Sequence, residues 1–164
     1  MSALKLPPLQ NSLVFPAKTT IAAVVALVVA QLVGLPEAYW APITAVVVVQ
    51  SDFGTSLTTG WQRLAGTALG AFVGALLATY LGQGVIVFAL GVFGVGLIAA
   101  ALRLGRPANR FAAITIAIVL LITRDGRPWI VALHRFLEVS VGISVGLLLS
   151  AVWPEKETRD AVKA

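Results

Sequence analysis

Cysteine is absent from this chain of 164 residues, which excludes disulfides, a thiolate nucleophile and any cysteine metal site. Charge is almost as scarce, since Lys, Arg, Asp and Glu together make up 12% of the chain and histidine occurs once. That histidine has no positioned nucleophile and no set of metal-ligating neighbours, so no enzyme, metal site or cofactor is expected. A GxxxxGK[ST] loop is missing as well, which leaves no nucleotide site and no ATP-driven step.

What fills the chain instead is apolar. Hydrophobic residues make up 59% and mean hydropathy is +0.94, against the roughly 45–50% apolar content of a soluble domain. The sequence therefore reads as an all-α integral membrane protein. Each crossing of a bilayer core about 30 Å thick needs roughly 20 helical residues, so six crossings use about 120 residues and leave short loops. The net charge is +5, but the basic residues flank apolar segments and form no patch interleaved with aromatics. They read as topology signals, with no nucleic-acid partner. Residues 21–33 have the length of a signal-peptide core, yet the leading stretch 1–18 is too long and too poor in charge for its leading region.

Hydropathy gives four full-length segments, at about 19–35, 59–81, 85–101 and 129–153, and two shorter ones, 38–49 and 111–123. At 1.5 Å per residue the short runs cover only about 18 to 20 Å. Their Val and Ile content also suits strands, but isolated strands leave backbone groups unpaired in lipid, which favours helices. Placing both termini in the cytoplasm puts Lys5, Lys18, Arg103, Arg106, Arg110, Lys156, Arg159 and Lys163 inside and only Arg124 and Arg127 outside, the asymmetry expected of cytoplasmic loops.

An internal repeat lies beneath this pattern. Ala41, Ile43, Thr44 and Val48 match Ala112, Ile114, Thr115 and Val119 at an offset of 71, and Arg63, Gly70 and Gly74 match Arg135, Gly142 and Gly146 at 72. Three crossings per unit make the second unit enter from the opposite side of the membrane. The predicted fold is thus six transmembrane helices as two inverted three-helix repeats, about 14–81 and 85–154, with helices two and five short and residues 155–164 a cytoplasmic tail.

The repeated arginines carry the chemistry. Arg63, Gly66, Gly70 and Gly74 share one helix face by their spacing, and so do Arg135, Glu138, Gly142 and Gly146. The glycines either admit another helix backbone or leave room for a permeating molecule. Each arginine is placed a turn or so inside its helix, where charge is costly and faces a protein interior or an aqueous path. A guanidinium fork suits carboxylate or phosphate, so two in succession suggest an anion path. The competing readings are that Arg63 snorkels to headgroups and that Glu138 neutralises Arg135. Glu138, with His134 one turn away, is also a candidate for proton coupling. Lys18 is either a cytoplasmic anchor or a charge at a pore mouth, and Trp40 with Pro42 fits an aromatic belt at a helix entry.

The stretches "YWAPITAVVVVQ" followed by Gly54, "QRLAGTALGA" and "RFLEVSVGISVG" resemble the fusaric acid resistance or aromatic acid exporter family, to which the plant aluminium-activated malate transporters are related. The resemblance runs from about Val14 to Pro154. It implies a six-helix bundle assembling as a homodimer, with organic anions as the transported class and Arg63 and Arg135 as the positions most similar to the basic pore residues of the malate channels. Relatives usually carry a further cytoplasmic domain or a second bundle, where here only "EKETRDAVKA" follows Pro154. The function expected is an organic-anion channel or exporter of the inner membrane, its partners being small organic or inorganic anions and membrane lipid. The alternative is a non-transporting membrane assembly module that needs a partner.

Overall fold

In a computed structural model of the chain, residues 9–122 and 127–153 are described, with side chains from Leu13 onward. They form six α-helices: α1 (Leu9–Leu32), α2 (Trp40–Val48), α3 (Phe53–Tyr80), α4 (Val85–Ala101), α5 (Gly105–Ala117) and α6 (Pro128–Val152), with α5 running on into a π-helical turn at Ile118–Ile122. Among the described residues four stretches are long and apolar enough to cross a membrane: Leu13–Leu32, Phe53–Tyr80, Gly105–Ile122 and Pro128–Val152. The chain is a helical membrane protein. Its outward faces carry large exposed side chains such as Val24, Phe72, Leu90, Phe93, Leu133 and Leu148, an apolar surface that suits lipid and not water. The tail at 155–164 and the loop residues Arg124 and Gly126 lie outside the described residues.

Three helix starts differ from the hydropathy reading, the first being α1, which begins at Leu9 and not near Thr19. The fifth helix is not short, because with its π turn it spans 18 residues. It begins in the polar stretch "GRPANR", which a hydropathy window rejects but in which Pro107 suits a first helical turn. The second helix is indeed brief, at 9 residues. Likewise α3 starts at Phe53 and not near Thr59, because Asp52 caps it by accepting the Thr55 N–H at 2.9 Å. Arg63 is therefore ten residues into its helix, about 15 Å along the axis and not a turn from its end.

The Asp52 cap lies just outside the membrane-spanning stretch and is exposed. The Thr55 N–H, with smaller contributions from the Thr55 hydroxyl and neighbouring backbone, holds its carboxyl below the usual carboxylate range. A lowered pKa in the folded state means that the cap stabilises α3 above the ordinary carboxyl pKa and loses that effect as pH falls through the depressed value. Asp52→Asn keeps a capping oxygen without titrating. The melting-temperature advantage of the parent over Asp52→Asn is expected to shrink on acidification, as thermal denaturation in detergent at a series of pH values would register.

Glycines decide how the helices meet. A Cβ at Gly66 would stand 2.2 Å from the Ala108 carbonyl oxygen, and one at Gly70 would stand 2.4 Å from that of Ala112, so α3 lies directly on the backbone of α5. A Cβ at Gly142 would stand 2.3 Å from the Ala41 oxygen, so α6 lies in the same way on α2. One turn further along, Gly74 faces Val119 and Gly146 faces Val48. At Gly70 and Gly74 on one side, and Gly142 and Gly146 on the other, the two interfaces match at the offsets of 71 and 72, while Gly66 has Glu138 as its counterpart. Thus α3 packs on α5 and α6 packs on α2, α3 and α6 contact each other, and α1 and α4 flank the α2–α6 and α3–α5 pairs. Gly34 closes α1 in the left-handed region at φ +76. Leu35 N–H then reaches back to the Ala30 carbonyl at 3.0 Å, and the chain turns sharply into residues 35–39.

Candidate functional site: two guanidiniums on one cavity

The glycine contacts bring the face of α3 that carries Arg63 toward the face of α6 that carries Arg135. Between them lies a cavity of about 20 Å³ whose lining includes Trp40, Arg63, Thr67, Phe111, Thr115 and Arg135, room for about one water molecule. Both arginines are buried, at 8% and 2% exposure. Each guanidinium lies over an aromatic ring of the helix on which its own helix packs: Arg63 over Phe111 at 4.8 Å and Arg135 over Trp40 at 4.3 Å. Trp40 and Phe111 are themselves 71 residues apart. Such stacking stabilises a desolvated cation by roughly 0.5–2 kcal/mol.

Their charge environments differ sharply. Arg63 donates from Nε to the Thr44 hydroxyl at 3.2 Å, and the Thr44 hydroxyl donates to the Trp40 carbonyl at 2.9 Å. Among the described residues no carboxylate lies within ion-pair distance of Arg63. Arg135 faces two: Glu138 Oε2 at 3.3 Å from Nη1, and the Oε2 of Glu37, which is in direct contact with Nη2. Glu138 is fully buried, and its Oε1 accepts the Glu37 backbone N–H at 3.1 Å. The Trp40 indole N–H donates to Glu37 Oε2 at 3.2 Å. The position equivalent to Glu138 in the first half is Gly66, which sits on the Ala108 carbonyl, and Ala108 itself is the equivalent of Glu37, so these two differences make one half of the site acidic.

Four of the residues singled out in the sequence stand apart from this cavity or at its margin. His134 is half-buried on α6, and among the described residues no ion pair joins it to Glu138. Gly74 and Gly146 contact valines one turn beyond the cavity. Lys18 is fully enclosed and does not stand exposed as an anchor or a mouth charge. Its ammonium donates to the Gln50 carbonyl at 2.9 Å. Gln50 N–H in turn reaches Ser56 Oγ at 3.0 Å, and Ser56 Oγ lies 3.1 Å from Ser150 Oγ. This polar knot ties α1 and α6 to the α2–α3 turn.

Sequence reasoning missed Glu37, Thr67 and the aromatic partners. Glu37 marked only the edge of an apolar run, and Trp40 fitted a lipid belt, whereas the ring lies under Arg135. A usable signal existed for Thr44 and Thr115, which match across the repeat and each donate to a carbonyl one turn back. Among the described residues no group of three or more His, Asp or Glu is placed to hold a metal ion.

A helical membrane protein with a pair of stacked, buried guanidiniums at its centre is the class that this architecture defines. The chain belongs to the fusaric acid resistance protein-like family, whose model matches residues 23–149. A protein of Escherichia coli strain K12 described as the uncharacterized transporter YdhK is 32% identical over 154 residues, a match covering 88% of this chain and 23% of that protein. Its counterpart in Escherichia coli O157:H7 gives the same values. The chain thus spans about a quarter of the length of these curated relatives. No solved structure matches it.

Proposed function

We propose that this chain is an organic-anion transport unit of the inner membrane, a channel or exporter for aromatic or dicarboxylic acids, with Arg63 and Arg135 lining the path. The observation that carries the reading is Arg63 itself. It is a buried guanidinium on a cavity, stacked on Phe111 and held by Thr44, with no carboxylate beside it in the described chain. A desolvated cation without a counter-ion is costly, and a transported anion supplies the missing charge. Family membership and the transporter description of the relatives point the same way.

The two halves act as inverted three-helix repeats in this reading. Their support is the equivalence of the α3–α5 contacts at Gly70 and Gly74 with the α6–α2 contacts at Gly142 and Gly146, and of the two cation–aromatic pairs. Both termini lie in the cytoplasm, the protein works as a homodimer, and the kinship extends to the plant malate transporters. The cavity holds no more than about one water, so this conformation is closed and passage requires α2 and α5 to move off the arginines. The assembly-module alternative loses ground because Gly66, Gly70, Gly74, Gly142 and Gly146 are spent on contacts within the chain. They leave no glycine face from this set free for a partner.

Liposomes containing only this protein, given a potassium-diffusion potential and no pH gradient, test the proposal. Benzoate or malate uptake is expected to fall at least tenfold in Arg63→Ala, with membrane insertion and gel-filtration behaviour unchanged. Undiminished uptake in that folded variant overturns it. Adding a pH gradient to the same liposomes separates the two modes, since under proton coupling Glu138→Gln still carries anions but no longer responds to the gradient.

A further inference from the structure

The paired charges of the core do not balance evenly between the two arginines. Glu138 already neutralises Arg135, so Glu37 is a surplus carboxylate in the same group. Glu138 is fixed on α6 and fully enclosed, whereas the Glu37 side chain is 37% exposed and belongs to the turn between α1 and α2 that follows the left-handed Gly34. Glu37 Oε2 meets the Arg135 guanidinium and accepts the Trp40 indole N–H, two contacts that a free carboxylate with an aromatic or aliphatic tail would also make. Neither the Arg135 Nη1 contact with Glu138 Oε2 nor the Nη2 contact with Glu37 Oε2 has hydrogen-bond alignment, so the fork of Arg135, a residue that lines the cavity, retains unspent donors.

We infer that the Arg135–Trp40 pair is a second carboxylate-binding subsite, and that Glu37 is a tethered carboxylate of the protein occupying it until an incoming organic acid takes its place. This rests on the anion-transport reading and deepens it. Arg63 is the subsite with no carboxylate of the described chain to displace once the helices part, and Arg135 becomes available only by exchange. Exchange keeps the guanidinium paired throughout, which avoids the cost of exposing a buried charge without a partner. It also favours ligands carrying a planar carboxylate that matches the fork over a spherical halide. Glu37 thereby acts as a specificity-determining residue, although it is drawn into the site from a loop.

The test is benzoate titration of the purified full chain by isothermal calorimetry, with potential-driven benzoate uptake in liposomes alongside, for the parent, Glu37→Gln and Glu37→Asp. Gln keeps an acceptor for the Trp40 indole without the competing charge. Asp keeps the charge but withdraws it from Arg135 by one methylene. Benzoate half-saturation is expected to fall about tenfold in Glu37→Gln, the equivalent of about 1.4 kcal/mol, with a smaller fall in Glu37→Asp and no gain in the Glu37→Gln/Arg135→Gln double variant. Chloride uptake relative to benzoate is expected to rise in Glu37→Gln, because a halide no longer has to displace the tethered carboxylate, and an unchanged ratio would overturn the specificity role. Unchanged or weaker benzoate binding in both single variants overturns the subsite. A gain that persists without Arg135 overturns it as well, because Glu37 would then act elsewhere. The outcomes separate from those of the transport proposal: Arg63-dependent uptake in the parent with no effect of Glu37 sinks only the subsite. Absence of Arg63-dependent uptake sinks the transport reading, while the calorimetry still decides whether Glu37 competes for Arg135.

Discussion

Gly142→Ala is expected to destabilise the protein at or above the top of the roughly 1–3 kcal/mol range typical of overpacking. The new methyl group would stand 2.3 Å from the Ala41 carbonyl oxygen and 2.5 Å from Thr44 Cβ. Neither neighbour is the free end of a long side chain, so α2 and α6 must separate as rigid bodies. Gly70→Ala is expected to act the same way on α3 and α5, since its Cβ would meet Ala112 oxygen at 2.4 Å and Ala112 Cα at 2.8 Å. The control is Gly94→Ala on α4, where nothing lies within 4 Å, and no loss is expected. Apparent melting temperatures in one detergent, with the recovered monodisperse fraction, check all three. A Gly142→Ala protein as stable as the Gly94→Ala control would show that the short and long helices do not touch as described.

The second large effect separates the two arginines. Arg135→Ala leaves Glu138 buried beside Glu37 with no cation between them, and removing one partner of a buried pair in this way costs about 3–5 kcal/mol. Arg63→Ala strands no carboxylate in the described chain. It removes a desolvated charge at the cost of its cation–aromatic contact, worth roughly 0.5–2 kcal/mol, so a milder loss is expected. Arg135→Ala/Glu138→Gln should recover part of the stability that Arg135→Ala loses, because the buried side chain it leaves is neutral. Thermal denaturation of the four proteins decides this, and equal losses in the two single alanine variants would contradict the asymmetric charge distribution. The same measurement shows that Arg63→Ala remains folded, which the flux experiment needs.

The sequence carried the paired arginines because charge is so rare in it that Arg63 and Arg135 stand out, each at the head of a glycine series in one register. Family resemblance was legible in the same stretches and agrees with the family match over residues 23–149. Helix starts were less legible. Asp52 and "GRPANR" are polar, and a hydropathy window discards them although capping and an early proline make them helical. Trp40 was ambiguous for a related reason, because an aromatic at a membrane helix end suits both a lipid interface and a cation beneath it, and composition does not distinguish these.

By itself the sequence determined the membrane, the helical class, the apolar faces and the rare charged residues that stand in them, because each depends on local sums of hydrophobicity or on spacing along one helix. Only the tertiary structure decided which helices meet. The glycine spacing says that a backbone approaches α3 and α6, but not that the partners are α5 and α2. That choice sets Arg63 over Phe111, sets Arg135 over Trp40, and brings Glu37 against Glu138 across a separation of 101 residues. Ion pairs and stacking act through space over a few ångströms, and no one-dimensional pattern reports a contact between segments so far apart in the chain.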